Sequence, residues 1–439
     1  MQRHQNAEVA IRPRLDQHFA ADHVADQPDT CKKPHVVDRL LIGGILELLG
    51  NPPLRVVLWD GQEIAGAGKT SIATRPACLL IRDRGALLRL IADPELHFGE
   101  MFVAGRVDVL GDLSEFLEMI YRALPRRSPS GLRERLRAVF NGAAHNTPTK
   151  AASNIYHHYD IGNDFYKLWL DEQMVYTCAY FPDPGSTLEA AQEAKLDYVC
   201  RKLHLQPGES VVEAGCGWGA LALHMAKNYG VSVKAYNLSR EQIAFAKARA
   251  HSAGLQNQVE FIEGDYREID GKFDAFVSVG MLEHVGIGDY GELGAILERC
   301  LAHSGRGLIH SIGRDSPSGM NPWIERYIFP GACPPSLSQM MTIFEPHGFS
   351  ILDIENLRLH YANTIEHWCQ RFERAADQVA ARFDPAFVRT WRLYLAGSLA
   401  AFRSGDMQLF QVVFSRAGCN RIPWSRHDLY APGDANGVM

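Results

Sequence analysis

The segment Glu213-Ala-Gly-Cys-Gly-Trp-Gly219 places a glycine at every second position, shortly after an acidic residue. The mostly apolar run that contains this acid, Ser210–Glu213, predicts a buried strand, and the residues beyond the glycines predict a helix. Glycine lets the backbone pass close to a ligand where any Cβ would stand in the way. A helix that begins at such a turn directs its N-terminal amides at the ligand. The segment therefore predicts a ligand-binding turn between a strand and a helix.

Strands and helices alternate on both sides of this turn. Capping boxes at Ser186-Thr-Leu-Glu189 and Ser239-Arg-Glu-Gln242 predict two helix starts, the first helix ending near Leu203. The predicted strands are Ser210–Glu213, Val231–Tyr236, Val259–Ile262, Ala275–Val279, Leu308–Ile312, Ser350–Ile354 and Phe410–Phe414. Alternation predicts a parallel sheet with crossover helices. Two helices separate the last two strands, and Asp384-Pro385 predicts the start of the second one.

The glycine spacing separates this turn from two common nucleotide-binding loops. It does not match G-x-G-x-x-G, and it lacks the Lys-Ser/Thr of a P-loop. It resembles the E/D-x-G-x-G-x-G pattern of class I S-adenosylmethionine methyltransferases, with a purely structural turn as the alternative. The resemblance implies an α/β fold of the Rossmann-like methyltransferase type. That fold has a seven-stranded sheet whose last strand is antiparallel.

Residues at two further strand ends suit the same cofactor. A residue that contacts ribose is expected about 20 residues beyond the glycines. Asn237 and Leu238 stand there, with Gln242 one helical turn later, although an acid would be usual. The third strand leads into Asp265-Tyr266, which suits an exocyclic amine and a stacked adenine. Each of these residues taken alone is equally well explained as part of a strand-to-helix turn.

Composition excludes several classes of protein. The chain has 439 residues, of which 46% are hydrophobic and 22% charged, so it is globular and not disordered, collagen-like or coiled-coil. A net charge of −6 argues against a nucleic-acid partner. Nine cysteines without a C-x-x-C pair indicate a reducing compartment and predict no metal site. The apolar runs Leu40–Gly50 and Leu393–Phe402 are too short to span a bilayer. Together with the lack of an apolar N-terminal run, this predicts a soluble cytoplasmic protein without a signal peptide.

The chain divides into five predicted segments. These are a loose tail at 1–35, a small α+β domain at 36–124, a basic linker at 125–150, the catalytic domain at 151–418 and a C-terminal tail at 419–439. Within the small domain, helices are predicted at Val37–Leu49 and Leu113–Leu124 and strands at Leu54–Trp59 and Ala77–Ile81. The stretch Arg122–Lys150 is strongly basic and has one acid, Glu134.

Motifs beyond the glycine turn carry a more specific resemblance. They are His157-His-Tyr-Asp160, Tyr176-Thr-Cys-Ala-Tyr-Phe181, Val279-Gly-Met-Leu-Glu-His-Val-Gly286, His310-Ser-Ile-Gly313, Tyr327-Ile-Phe-Pro-Gly331, His360-Tyr-Ala-Asn-Thr364 and Phe410-Gln-Val-Val-Phe-Ser-Arg416. Together they resemble the cyclopropane-fatty-acyl-phospholipid synthases and their mycolic-acid-modifying relatives, over about residues 150–417. Residues 36–124 resemble the sterol-carrier-like N-terminal region of longer members only weakly.

The family resemblance implies an activity and two sets of site residues. The activity is transfer of a methylene group from S-adenosylmethionine to a cis double bond of an unsaturated phospholipid, through a carbocation that bound bicarbonate deprotonates. The cofactor would lie on Tyr176, Thr177, Ala214, Gly215, Cys216, Gly217, Asn237, Leu238, Gln242, Asp265 and Tyr266. Bicarbonate would lie on Cys178, Glu283, His310, the backbone of Ile312, and Tyr361. Ser398 stands where other members carry a cysteine.

The same residues allow more ordinary interpretations. Cys178 and His310, each taken alone, fit core positions, and Glu283 fits an exposed helix start. Helical insertions at 150–203 and 314–345 would cover the site. The aromatic segments Tyr156–Trp169 and Trp323–Phe329 are predicted either to wall an acyl tunnel or to be ordinary core.

Other functions also remain open on the sequence. They are acyl C-methylation that gives a methyl-branched or methylene product without ring closure, N-methylation of an amine, and lipid carriage without catalysis. Because the expected substrate lies in a bilayer, we expect transient contact with the inner face of the membrane. The basic stretch Arg122–Arg137 is the first candidate for that contact, with an ordinary solvated linker as the alternative. A homodimer is left open.

Overall fold

The computed structural model describes residues 33–66, 77–124, 161–423 and 425–430. The N-terminal tail up to residue 32, most of the basic stretch and the His157–Asp160 motif lie outside these residues. Within the part of the chain that the structure describes, no helix is both long enough and apolar enough to cross a membrane.

The N-terminal unit is a four-stranded sheet with helices packed around it. Helix α1 (Val36–Leu48) precedes strands β1 (Leu54–Val57), β2 (Glu63–Ala65), β3 (Ala77–Ile81) and β4 (Val107–Leu110), and helices α2 (Arg84–Ala92), α3 (Pro94–Val103) and α4 (Leu113–Ala123) complete the unit. The sheet order is β2-β1-β3-β4, with β1 and β3 parallel and the outer pairs antiparallel. Asp83, Asp93 and Asp112 cap the starts of α2, α3 and α4. Strands β2 and β4 were not predicted, because three- and four-residue edge strands carry too little periodicity.

The larger sheet has the predicted seven strands. They are β5 (Ser210–Ala214), β6 (Ser232–Asn237), β7 (Val259–Glu263), β8 (Phe273–Val279), β9 (Leu301–Gly313), β10 (Phe349–Asn356) and β11 (Gln408–Arg416). The order is β10-β11-β9-β8-β5-β6-β7. Strand β11 runs antiparallel to both of its neighbours, and the pairs from β9 to β7 are parallel. The predicted α/β class, with a late antiparallel strand, is confirmed.

In the described part of the chain, ten α-helices surround and extend this sheet. They are α5 (Asn163–Tyr166), α6 (Leu188–Lys202), α7 (Ala220–Tyr229), α8 (Arg240–Ser252), α9 (Tyr290–Cys300), α10 (Pro322–Tyr327), α11 (Leu337–Met341), α12 (Arg358–Arg382), α13 (Pro385–Ser404) and α14 (His427–Tyr430). Asp384 caps α13 as predicted, its carboxylate accepting from the amide of Phe387.

Three local predictions differ from the structure. Helix α6 is capped by Thr187, one residue after the predicted Ser186. Ser239 caps α8, but the Gln242 side chain bonds to Asn237 and so does not complete the capping box. Strand β9 starts at Leu301, seven residues before the predicted start at Leu308. Arg306, near the start of β9, donates to Glu209 and to the carbonyl of His204, and these contacts compensate for its partial burial.

The two units pack against each other through α13, which contacts α4 and α3. Arg389 of α13 donates to the carbonyl of Phe102 at 2.6 Å, and Tyr327 donates to Glu100 at 2.8 Å. A Cβ on Gly99 would lie 2.4 Å from the ring of Trp323, so the contact is close. The domain boundaries predicted from the sequence stay a prediction. The packing shows that the N-terminal unit stands directly beside the catalytic sheet.

Candidate functional site

A cavity of about 140 Å³ opens where the parallel strands of the large sheet end. We call it the glycine-loop cavity. Ten of the eleven residues predicted to bind the cofactor line it: Tyr176, Thr177, Gly215, Cys216, Gly217, Asn237, Leu238, Gln242, Asp265 and Tyr266. The eleventh, Ala214, does not line it, because its side chain is fully buried in the core on one face of the sheet.

The three glycines of the turn serve different purposes. All have positive φ, at 86° for Gly215, 52° for Gly217 and 82° for Gly219. A Cβ on Gly215 would lie 2.9 Å from Cβ of Met281, and one on Gly219 would lie 2.6 Å from the ring of Phe261. A Cβ on Gly217 would have no protein atom within 4 Å. Only Gly217 therefore leaves open space beside the backbone, whereas the sequence predicted this for Gly215 as well.

The residues at the next two strand ends are already held by neighbours. The Asn237 amide donates to Gln242 Oε1 at 2.7 Å, which fixes both side chains at the cavity wall. Asp265 accepts from the Arg267 guanidinium at 3.1 Å and from its backbone amide at 2.9 Å. The same guanidinium lies over the Tyr266 ring, 4.8 Å from its centre. Sequence reasoning missed Arg267, which lines the cavity and forms ion pairs with Asp265, Asp289 and Glu292.

A second, larger cavity of about 450 Å³ lies beside the first. We call it the apolar cavity, because most of its wall is aliphatic or aromatic. All five residues predicted to hold bicarbonate line it: Cys178, Glu283, His310, Ile312 and Tyr361. The two cavities share four wall residues, Tyr176, Thr177, Gly280 and His284. A small group held in one cavity is therefore close to a chain held in the other.

Glu283 and His310 present unpaired polar atoms to the interior. Glu283 Oε1 accepts from the Ile312 amide at 2.6 Å, while its Oε2 has no partner among the described residues. His310 Nδ1 lies 2.9 Å from Gln411 Nε2, and its Nε2 has no partner among them either. Burial raises the pKa of Glu283 to about 7 and lowers the pKa of His310 well below its usual value. His310 is thus neutral, and a ring whose Nδ1 accepts from Gln411 Nε2 carries its proton on Nε2.

The other three predicted anion ligands, Cys178, Ile312 and Tyr361, line the apolar cavity and also contact neighbouring protein groups. The Ile312 amide already donates to Glu283, so it positions that carboxylate instead of standing free for an ion. The Cys178 thiol donates to the Ala179 carbonyl at 3.1 Å, and burial raises its pKa well above the usual range. The Tyr361 ring packs 4.6 Å from that of Phe402. Ser398 also lines the apolar cavity.

Of the two aromatic segments predicted to wall an acyl tunnel, Trp323–Phe329 contributes to the apolar cavity, and the described part of Tyr156–Trp169 does not. Trp323, Ile324 and Phe329 line the apolar cavity. In the segment Tyr156–Trp169, the first five residues lie outside the described part of the chain. Phe165, Tyr166 and Trp169 are fully buried core and line neither cavity.

Comparison with known proteins identifies the family. The family model described as mycolic acid cyclopropane synthetase matches residues 146–412. The chain belongs to this family. It is 37% identical to the cyclopropane-fatty-acyl-phospholipid synthase of Escherichia coli K12, over 83% of this chain and 94% of the relative. It is 35% identical to a probable fatty acid methyltransferase of Pseudomonas putida, over 86% and 96%.

Two solved structures share the fold of this chain. The cyclopropane synthase MmaA2 of Mycobacterium tuberculosis superposes with a TM-score of 0.58 at 28% identity, covering 60% of this chain and 98% of its own. Coclaurine N-methyltransferase, at 19% identity and a TM-score of 0.61, shows the shared fold alone. The chain is therefore an S-adenosylmethionine-dependent methyltransferase that transfers a methyl or methylene group to a lipid. The open backbone at Gly217 and the unpaired Glu213 Oε2 at the cavity wall fit this cofactor.

Replacing Gly217 with valine tests the role of the turn. We expect the variant to lose measurable binding of S-adenosylmethionine in calorimetry, because the added side chain would occupy the open space of the glycine-loop cavity. We expect it to stay folded, since the positive φ costs only about 1–2 kcal/mol. Gly208→Val is the matched control, because Gly208 has φ 87° and no atom within 4 Å but lies away from the cavity. Normal cofactor affinity in the Gly217 variant would contradict the assignment.

Proposed function

We propose that this enzyme is a cyclopropane fatty acid synthase, which inserts a methylene group into a cis double bond of a phospholipid acyl chain. The observation that carries the proposal is the shared wall of the two cavities. The glycine-loop cavity meets the apolar cavity at Thr177 and Gly280, and two unpaired polar atoms, Glu283 Oε2 and His310 Nε2, stand on the apolar side. This arrangement supports methyl transfer into an apolar chain followed by removal of a proton.

The apolar cavity suits an acyl chain because of what lines it. Helix α1 contributes Ile42, Ile45 and Leu46, and its C-cap Leu49 follows. The small sheet and its helices contribute further aliphatic and aromatic side chains. Trp323 and Phe329 close it from the catalytic unit. Transfer of an acyl chain from water into such walls is favourable by about 0.8 kcal/mol per buried CH₂. The N-terminal unit is thus part of the substrate site.

The chemistry that S-adenosylmethionine supplies at the shared wall is an electrophilic methyl group. Addition of that group to the double bond leaves a positive charge on the acyl chain. The aromatic faces of Tyr361 and Phe402 on the apolar side stabilise such a charge electrostatically. The protein must then provide a proton acceptor within hydrogen-bond reach of the new methyl group.

Glu283 and His310 fit a bound bicarbonate in that role. His310 Nε2–H is an unpaired donor, and Glu283 Oε2 is an unpaired oxygen at the same wall. Because the pKa of Glu283 is raised to about 7, its carboxyl group can carry a proton and donate to an anion without like-charge repulsion. Both side chains therefore bind and orient the ion that accepts the proton. Gln411 and the Ile312 amide hold them in place.

A fatty acyl C-methyltransferase without ring closure is the second candidate. The tuberculostearic acid methyltransferase UfaA1 of Mycobacterium tuberculosis is 35% identical over 83% of this chain. That identity is close to the one with the Escherichia coli synthase, so identity does not separate the two products. Surface contact with a membrane stays a prediction. Most of its basic stretch lies outside the described residues, and Arg122 is paired with Glu118.

Product analysis tests the proposed activity directly. The enzyme is incubated with S-adenosylmethionine labelled at the methyl carbon and vesicles of an unsaturated phospholipid, and the fatty acids are then examined by NMR. We expect the label in a ring methylene, with the high-field proton signals of a cyclopropane. Label in a methyl branch or an exocyclic methylene would instead establish the second candidate. Saturated phospholipid vesicles are the control and should take up no label.

The anion site is tested by Glu283→Gln and His310→Ala. We expect each variant to lower turnover by about 10²-fold or more, as for loss of an oriented base. Affinity for S-adenosylmethionine should change little, because neither residue lines the glycine-loop cavity. Removal of bicarbonate from the buffer should slow the wild type, and its return should restore the rate. Full activity in thoroughly degassed buffer would show that another group accepts the proton.

The acyl cavity is tested on helix α1. We expect Ile45→Trp to lower turnover of long-chain phospholipids at least tenfold, because the larger side chain fills space between the two units. Cofactor binding should be unchanged. Leu40→Trp is the matched control, since Leu40 is on the same helix but 70% exposed. Equal activity of both variants would mean that the acyl chain does not reach the N-terminal unit.

A further inference from the structure

Lys195 is a buried cation at the wall of the glycine-loop cavity. It lies on α6 and is 2% exposed. Its Nζ donates to Thr177 Oγ1 at 2.8 Å, which is its single hydrogen bond to the described residues. Lysine carries three N–H donors. Two of them therefore lack a partner among the described residues, at the wall of the glycine-loop cavity.

Two acidic side chains interact electrostatically with Lys195, but neither forms an ion pair with it. Asp171 and Glu213 both act on Lys195 electrostatically, but neither comes within the 4.0 Å of an ion pair. The Asp171 oxygens are engaged by the amides of Val175 and Gln173, at 2.8 and 3.0 Å. Glu213 is 2% exposed, and its Oε2 has no partner in the described residues. Burial lowers the pKa of Lys195 to about 8 and raises the pKa of Glu213 to about 8.

Buried charges of this kind normally have a partner, because taking an ion out of water is costly unless an opposite charge compensates it. Here a cation and an acid line one small cavity, and neither neutralises the other. A ligand that carries both an anionic and a cationic group would satisfy both. The amino-acid end of S-adenosylmethionine is such a group, with a carboxylate and an ammonium on one carbon.

We propose that Lys195 binds the methionine carboxylate of S-adenosylmethionine, with Thr177 fixing the direction of its ammonium group. Thr177 lies on the wall that the two cavities share, so this contact also orients the cofactor toward the apolar cavity. Compensation by the carboxylate matters for the reaction, because an unpaired ammonium near the shared wall would oppose positive charge on the acyl chain. Lys195 is thus a binding residue, and sequence reasoning did not identify it.

The test compares two ligands that differ only in the carboxylate. Affinities for S-adenosylhomocysteine and its decarboxylated analogue are measured by calorimetry on the wild type and on Lys195→Met. A charge-assisted hydrogen bond contributes about 1.5–3 kcal/mol, which corresponds to roughly 10- to 150-fold in affinity. We expect the wild type to prefer S-adenosylhomocysteine by that factor. In Lys195→Met this preference should fall close to one, with the analogue bound about as well as by the wild type.

The control is Lys202→Met on the same helix. Lys202 is 3% exposed but pairs with Glu355 at 2.6 Å, and it lines neither cavity. It should lose stability without changing the preference between the two ligands. If Lys195 only supports the fold, Lys195→Met will weaken both ligands equally, and the proposal is wrong. Equal affinities in the wild type would overturn it without any variant.

Discussion

The molecule is organised around polar groups that the end of a parallel sheet buries without partners. Lys195, Glu213, Glu283 and His310 are each more than nine-tenths buried, and the structure leaves a donor or acceptor on each unpaired within its described residues. Each unsatisfied group of this kind costs about 1–3 kcal/mol or more when charged. The surrounding core offsets that cost through large aromatic clusters such as the one around Phe165, Trp169 and Trp391. Because these groups have unpaired donors or acceptors, they are available to bind ligands.

The thin wall between the two cavities is the second constraint, and it depends on glycine. Gly280 has φ 75°, and a Cβ there would lie 2.8 Å from Thr177 Cγ2. A larger residue at this position would push Thr177 away and with it the ammonium of Lys195. The end of β8 and the segment around Thr177 can therefore approach closely only because of this glycine. This close approach gives the glycine-loop cavity and the apolar cavity a common wall.

The sequence predicted the sheet, the glycine turn and most of the cavity walls, because these follow from local patterns. The alternation of strands and helices predicted the order of the elements, and the family motifs predicted that Glu283 and His310 belong to one site. Lys195 was missed because a lysine inside an amphipathic helix normally points to solvent; its burial depends on the packing of α6 against the sheet. Gln411 was missed for a similar reason, since its contact with His310 joins residues 101 positions apart. Tertiary contacts of this kind leave no periodic signal.

The N-terminal unit extends the site beyond the common catalytic fold. The match with the mycobacterial cyclopropane synthase MmaA2 covers 98% of that protein but only 60% of this chain. The match with the Escherichia coli phospholipid synthase covers 83% of this chain. The added unit supplies 19 of the 46 residues that line the apolar cavity, including residues of α1. Its closeness to the catalytic unit is enforced by Arg389 and Tyr327, which tie α13 and α10 to α3. The depth of a cavity between two units depends on how they pack. Substitutions at this junction therefore change the length of acyl chain that the cavity holds, while the residues at the shared wall stay the same.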